Sequence, residues 1–92
     1  EFSIEHSVLI YPNPIAQDAI LEYTLNKQGE ISIELVDMKG KILKTFVDHQ
    51  QQDPGSHKET IILPGGLASG SYHLILSSPK GKIVVKLIHL NE

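Results

Sequence analysis

The feature that most restricts this chain is an alternation of apolar and polar residues at every second position. Leu21, Tyr23 and Leu25 alternate with Glu22 and Thr24 across residues 19–26. Ile31, Ile33 and Leu35 share one parity of residues 30–36, and Tyr72, Leu74 and Leu76 share one parity of 71–77. A period of two puts one set of side chains on each face of a β-strand, so one face is buried and the other wet, as in an antiparallel sandwich. No segment carries the 3.6-residue period and the caps of a helix. Turn chemistry interrupts the pattern at short intervals. Lys27-Gln28-Gly29 is expected to close a first hairpin, Asp37-Met38-Lys39-Gly40 a second and Pro79-Lys80-Gly81 the last. Asp53-Pro54-Gly55 and Pro64-Gly65-Gly66 are expected to form longer connections. Seven strands follow, near 7–11, 19–26, 30–37, 41–49, 56–63, 70–78 and 82–90. They predict an all-β fold, a seven-stranded antiparallel immunoglobulin-like β-sandwich, with an open barrel as the alternative.

Three strands are less regular. Residues 42–47 carry apolar side chains in both parities, which predicts a bulge or an edge position covered partly on both sides. Glu59 shares its parity with Ile61, an awkward neighbour in a core strand. The last strand, Ile83 to Leu90, is apolar apart from Lys86 and His89, so its second face packs on something or is a sticky surface.

Size and charge exclude several classes. The 92 residues are expected to form one domain, with 1–6 a linker or a cloning remnant opening on an arbitrary Glu1-Phe2. Without cysteine there are no disulfides, thiolate metal sites or cysteine nucleophiles, and the fold must rest on its apolar core. The net charge is −3 and there is no arginine, which argues against nucleic-acid binding. The charge is uneven: residues 1–30 carry a net of −4, and residues 71–92, with Lys80, Lys82 and Lys86 against Glu92, a net of +2. No apolar run approaches the roughly 20 residues that span a bilayer, and no secretory signal opens the sequence.

Catalytic chemistry is not visible. Gly66-Leu67-Ala68-Ser69-Gly70 has the wrong spacing for a nucleophile elbow and precedes a strand, not a helix. Gly65, Gly66 and Gly70 lack the Gly-Lys-Ser/Thr ending of a phosphate loop. His6, His49, His57, His73 and His89 are scattered along the chain with no metal-ligand spacing, and His73 and His89 are expected on solvent faces or edges. Asp37, Asp48 and Asp53 lack the density of a calcium loop, and Asp37 is better suited to supporting its own turn. No catalytic residue, metal ligand or cofactor is therefore expected. Tyr23 and Tyr72 lie on apolar faces, and with no tryptophan the chain lacks the aromatic platform of a sugar-binding sandwich.

One ordered set of motifs says more. Tyr11-Pro12-Asn13-Pro14 precedes alternating strands, then come Asp37-Met38-Lys39-Gly40-Lys41, Gly55-Ser56-His57 and Leu67-Ala68-Ser69-Gly70-Ser71-Tyr72, and a lysine-bearing apolar strand closes the chain. In this order the sequence resembles the C-terminal sorting domain (type A) of the type IX secretion system of Bacteroidota, over residues 8–90. Taken by themselves the motif residues have structural roles. Pro12 and Pro14 donate no ladder bonds and end the first strand. Asp37 and Gly40 make a register-fixing turn, and Leu67 anchors a loop in the core while Gly70 permits an unusual backbone angle before Tyr72. Only the resemblance implies that the fold is read as a secretion signal. It implies a non-catalytic domain at the end of a larger cargo, which crosses the periplasm and passes an outer-membrane translocon. A shuttle protein and a sortase-like surface protease are the implied partners; the protease commonly removes the domain, and the cargo is anchored to a lipopolysaccharide or released. The chain departs from the family pattern at three places. It ends His89-Leu90-Asn91-Glu92 without a final basic residue, Glu59 stands where an apolar residue is usual, and Lys41 replaces a frequent arginine.

Within that reading the last strand is the expected recognition element. A free edge offers backbone donors and acceptors for strand addition, and Lys82, Val84, Lys86 and Ile88 would present charge and apolar surface to the machinery. The same exposed strand gives a route to edge-to-edge dimers at high concentration. The alternative reading is an accessory sandwich for carbohydrate binding or adhesion.

Overall fold

The structure, a computed structural model, describes residues 8–79 and 81–90. The expected linker 1–6, the expected start of the first strand at 7, Lys80 of the last turn and Asn91-Glu92 lie outside the described residues. The described residues form β1 (Leu9–Tyr11), β2 (Asp18–Leu25), β3 (Gly29–Val36), β4 (Ile42–Gln52), β5 (Gly55–Ile62), β6 (Gly70–Ser78) and β7 (Gly81–His89). They build two antiparallel sheets, β1-β2-β5 and β4-β3-β6-β7, packed as an immunoglobulin-like β-sandwich. In a constant-type immunoglobulin domain the fourth strand lies in the sheet of the first, second and fifth, whereas here β4 pairs with β3 and leaves that sheet with three strands.

The alternating positions supply the core. Leu21, Tyr23 and Leu25 of β2 and Ile61 of β5 face Ile31, Ile33 and Leu35 of β3, Leu74 and Leu76 of β6 and Leu87 of β7, all buried. Two expected connections differ. Residues 26–28 do not close a hairpin, because β2 and β3 belong to different sheets. A short turn reverses the chain without dictating pairing, and packing the two strands face to face buries both apolar faces. Asp53-Pro54 is not a long connection either: β4 runs on through Gln50-Gln51-Gln52, three residues beyond its expected end, and two residues then carry the chain to β5. The seven residues 63–69 link β5 to β6. True hairpins join β3 to β4 and β6 to β7.

Edge positions account for the irregular strands. β4 is an edge strand whose register against β3 shifts between Ile31 and Ile33, between Ile33 and Glu34 and between Leu35 and Val36. At the first shift His49 takes φ 50°, and its amide donates to Oγ of the buried Ser32 at 2.9 Å. Glu59 does share the inner face with Ile61, opposite Leu21, but β5 is also an edge strand and Glu59 is only half-buried. Beside it His57 stacks on the buried Tyr23 at 5.4 Å, and Tyr23 donates to Oε1 of Gln52 at 2.6 Å. Burial, more than any neighbour, pushes the Tyr23 phenol up.

Candidate recognition surface

Strand register gathers distant motif residues at one end of the sandwich. The pairs Tyr11↔Ile20, Val36↔His73 and Gly70↔His89 put the ends of β1, β3 and β7 beside the starts of β2, β4 and β6. Segments 12–17, 37–41 and 63–69 therefore share that end with Leu90. Pro12, Asn13, Pro14, Asp37, Gly40, Leu67, Gly70 and Tyr72 all lie there. Gly55, with φ 120°, sits at the opposite end where β5 begins.

The Pro12-Asn13-Pro14 segment leads the chain from β1 across to β7 of the other sheet before it returns to β2. β1 ends at Tyr11, since Pro12 has no N–H for the ladder. Beyond the prolines the buried Ile15 forms a parallel bridge with His89 of β7. Its amide donates to the carbonyl of Ile88 at 2.7 Å and its carbonyl accepts from the Leu90 amide at 3.0 Å. Asn13 extends this strip with its side chain. Oδ1 accepts from the Ile88 amide at 3.1 Å, and Nδ2 donates to the Lys86 carbonyl at 3.4 Å. The side-chain amide thus does for β7 what a backbone peptide group of a neighbouring strand would do.

His89 fastens the same region from inside. The side chain is buried, contrary to the expectation of a solvent face or edge. Its Nδ1 lies 2.8 Å from the Ile15 carbonyl oxygen and its Nε2 3.1 Å from that of Leu67. The ring so ties β7 to both neighbouring loops. The parity Ile83, Val85, Leu87, His89 was the available signal, because the first three of these residues face the core. His73 is half-buried on the outer face, opposite Lys86. Leu67 packs half-buried against the core, and the Tyr72 hydroxyl donates to the Ala68 carbonyl at 2.5 Å, four residues upstream. This is the tyrosine corner of immunoglobulin-like folds, placed at the start of β6 after Gly70, whose φ is 156°.

The Asp37 turn is held by one carboxylate oxygen. Oδ1 accepts from the amides of Lys39 and Lys41, each at 2.9 Å, while the Asp37 carbonyl accepts from the Gly40 amide at 3.0 Å. Gly40 takes φ 89°, a conformation that costs other residues strain. These amide bonds, the Lys41 one foremost, hold the Asp37 carboxyl below its ordinary range.

β7 does not offer the wholly free edge expected of it. It is an edge strand of its sheet, but residues 13–15 occupy its outer backbone groups from the Lys86 carbonyl to the Leu90 amide. Pairing with β6 takes the inward groups, so only the stretch from Lys82 to the Lys86 amide has no described partner strand. Lys82, Val84, Lys86 and Ile88 all stand exposed on the outer face, with Val84 at 48% and Ile88 at 38%.

Elsewhere the polar groups do not converge. Among the described residues no three histidine, aspartate or glutamate side chains gather as a metal site would require. Tyr23 and Tyr72 belong to the core, as their parity predicts. The exposed Tyr11 hydroxyl donates to the Glu22 carboxylate, which raises the phenol's pKa. A cleft lined by Glu30, Ser32, His49 and Ser77 flanks the β4 bulge and has no aromatic wall.

The sequence pattern of one family, the secretion system C-terminal sorting domain, matches residues 9–90. The chain belongs to that family. No curated protein matches it in sequence. As a sorting domain it is a C-terminal signal of type IX secretion, a system of Bacteroidota, and its route leads to the outer membrane, the cell surface or the medium. The family is in general non-catalytic. The match extends from β1 to the residue after β7, so it includes the crossing segment, the loops and the strand they hold.

Proposed function

We propose that this sorting domain is read as a folded surface, centred on β7 and the end of the sandwich that secures it. In this reading a cargo protein joined to the domain crosses the periplasm. The domain is then recognised by the outer-membrane translocon and its shuttle protein, and a sortase-like surface protease removes it before the cargo is anchored or released. The family match over residues 9–90 carries the proposal. The placement of eight motif residues at the end of the sandwich where β7 finishes supports a signal that depends on the fold and not on a linear string.

The whole of 1–92 acts as one unit here, with 1–6 as linker. A periplasmic reporter fused to the domain, expressed in a host with type IX secretion, tests the reading. Surface or medium activity that needs the domain and is lost without residues 82–92 is the expected result. Export of the reporter without the domain overturns it. Because Leu87 is a core residue, the shortened chain should be compared with substitutions on the exposed face of β7.

A further inference from the structure

Bonds from residues 13–15 to positions 86, 88 and 90 fix the parity of β7. In an antiparallel strand both backbone groups of a residue point to the same side, so Lys82, Val84 and the Lys86 amide also point away from β6. Their side chains share the solvent face. The open stretch therefore presents two donor–acceptor pairs and one further donor, with an apolar side chain between two cations. It is about 13 Å long at roughly 3.3 Å per residue.

A second copy of the chain is a poor occupant. Antiparallel self-pairing centred on Val84 sets Lys82 of each copy opposite Lys86 of the other, and like charges directly opposite destabilise a strand pair. On the adjacent strand β6 the residues opposite Lys82, Val84 and Lys86 are Ser77, Ile75 and His73, none of them an acid. Among the described residues an acid in the same row, Glu34, is opposite Ile75 from the far side, on β3. The two ammonium groups thus have no carboxylate within their own hairpin face.

We propose that the stretch from Lys82 to the Lys86 amide docks one extended segment of a partner protein by strand addition. That segment carries an apolar side chain flanked, at two residues on either side, by acidic ones. The proposal rests on the sorting-signal reading and adds the chemistry of the partner. Residues 13–15 cap the docking edge, stopping a partner strand from running on toward Leu90.

The test uses the 92-residue chain, nitrogen-15 labelled, with two capped peptides, Thr-Asp-Thr-Val-Thr-Asp-Thr and its lysine counterpart. The acidic peptide is expected to shift and protect the amides of Lys82, Val84 and Lys86, and the lysine peptide to bind about tenfold more weakly. Val84→Pro, which removes an outward N–H from an edge strand, is expected to lose the effect. Lys82→Glu with Lys86→Glu, two exposed positions, is expected to reverse the preference. Equal binding of both peptides, shifts confined to residues 13–15 and 88–90, or self-association that displaces the acidic peptide overturns the proposal. The reporter separates the two readings. Undiminished export by the double glutamate variant overturns the docking chemistry and leaves the sorting reading standing, whereas no export by the unaltered domain overturns the sorting reading itself.

Discussion

A buried imidazole between two backbone carbonyls has few substitutes. Leucine at position 89 would fill much of the space yet take away the ring N–H that one of the two carbonyls, of Ile15 at 2.8 Å or Leu67 at 3.1 Å, accepts from. His89→Leu is expected to cost about 2 kcal/mol, the typical penalty for an unsatisfied buried group, read as a lower urea midpoint at unchanged m-value. Tyr72→Phe removes the hydroxyl that holds Ala68 and is expected to cost about 1 kcal/mol in the same measurement. Asp37 gives a pH signature instead. Its folded carboxyl titrates below the ordinary range because two amides hold the charged form. Its contribution is therefore complete above the ordinary carboxylate pKa, about 4, and is lost as pH falls through the lowered folded value. Asp37→Asn cannot ionise, so the stability difference from the unaltered chain should shrink as pH drops below about 4. Denaturant midpoints taken across that range would show it, and a constant difference would contradict the argument. The Asp37 turn was legible in sequence because its partners are two and four residues away. The role of Asn13 was not, because its partners are 73 and 75 positions distant.

Strands were legible where one face is apolar and the other wet, which covers β2, β3 and β6. What the pattern does not encode is which strands share a sheet. The 26–28 turn has the composition of a hairpin yet joins two sheets, since chain reversal is local and pairing is decided by how the apolar faces meet. Nor does apolar character in β7 announce that part of its edge is already taken. That occupancy makes a prediction at the level of the strand. Asn13→Ala removes the acceptor of the Ile88 amide, so exchange of that amide should rise about fivefold, in line with one lost bond of about 1 kcal/mol. The Leu90 amide, bonded to the Ile15 backbone, should be affected less, and the Val84 amide not at all. Hydrogen exchange followed by NMR reads all three sites in one experiment.

Across the whole molecule, principal extents of 39 × 23 × 18 Å leave room for two ends with different duties. One carries the crossing segment, the aspartate turn, the tyrosine corner and Leu90; the other carries residues 26–28, 53–54 and Pro79. If the signal is a surface at the first end, replacing Lys27-Gln28 by Asn-Gly should leave reporter export unchanged. Combining Asn13→Ala with Tyr72→Phe should reduce export even at a temperature where the domain remains folded by circular dichroism. Equal loss from both changes would argue that export follows overall stability alone. The clasp made by Asn13, Ile15 and His89 also bears on synthesis. Its donors and acceptors are supplied by residues near 13 and by residues from 86 to 90, so a nascent chain that stops before Leu90 has the first half of the fastening and nothing to close it on. On the sorting reading, a chain cut short before Leu90 would reach its exporter without the finished strand, so the fold itself would discriminate against products truncated within the domain.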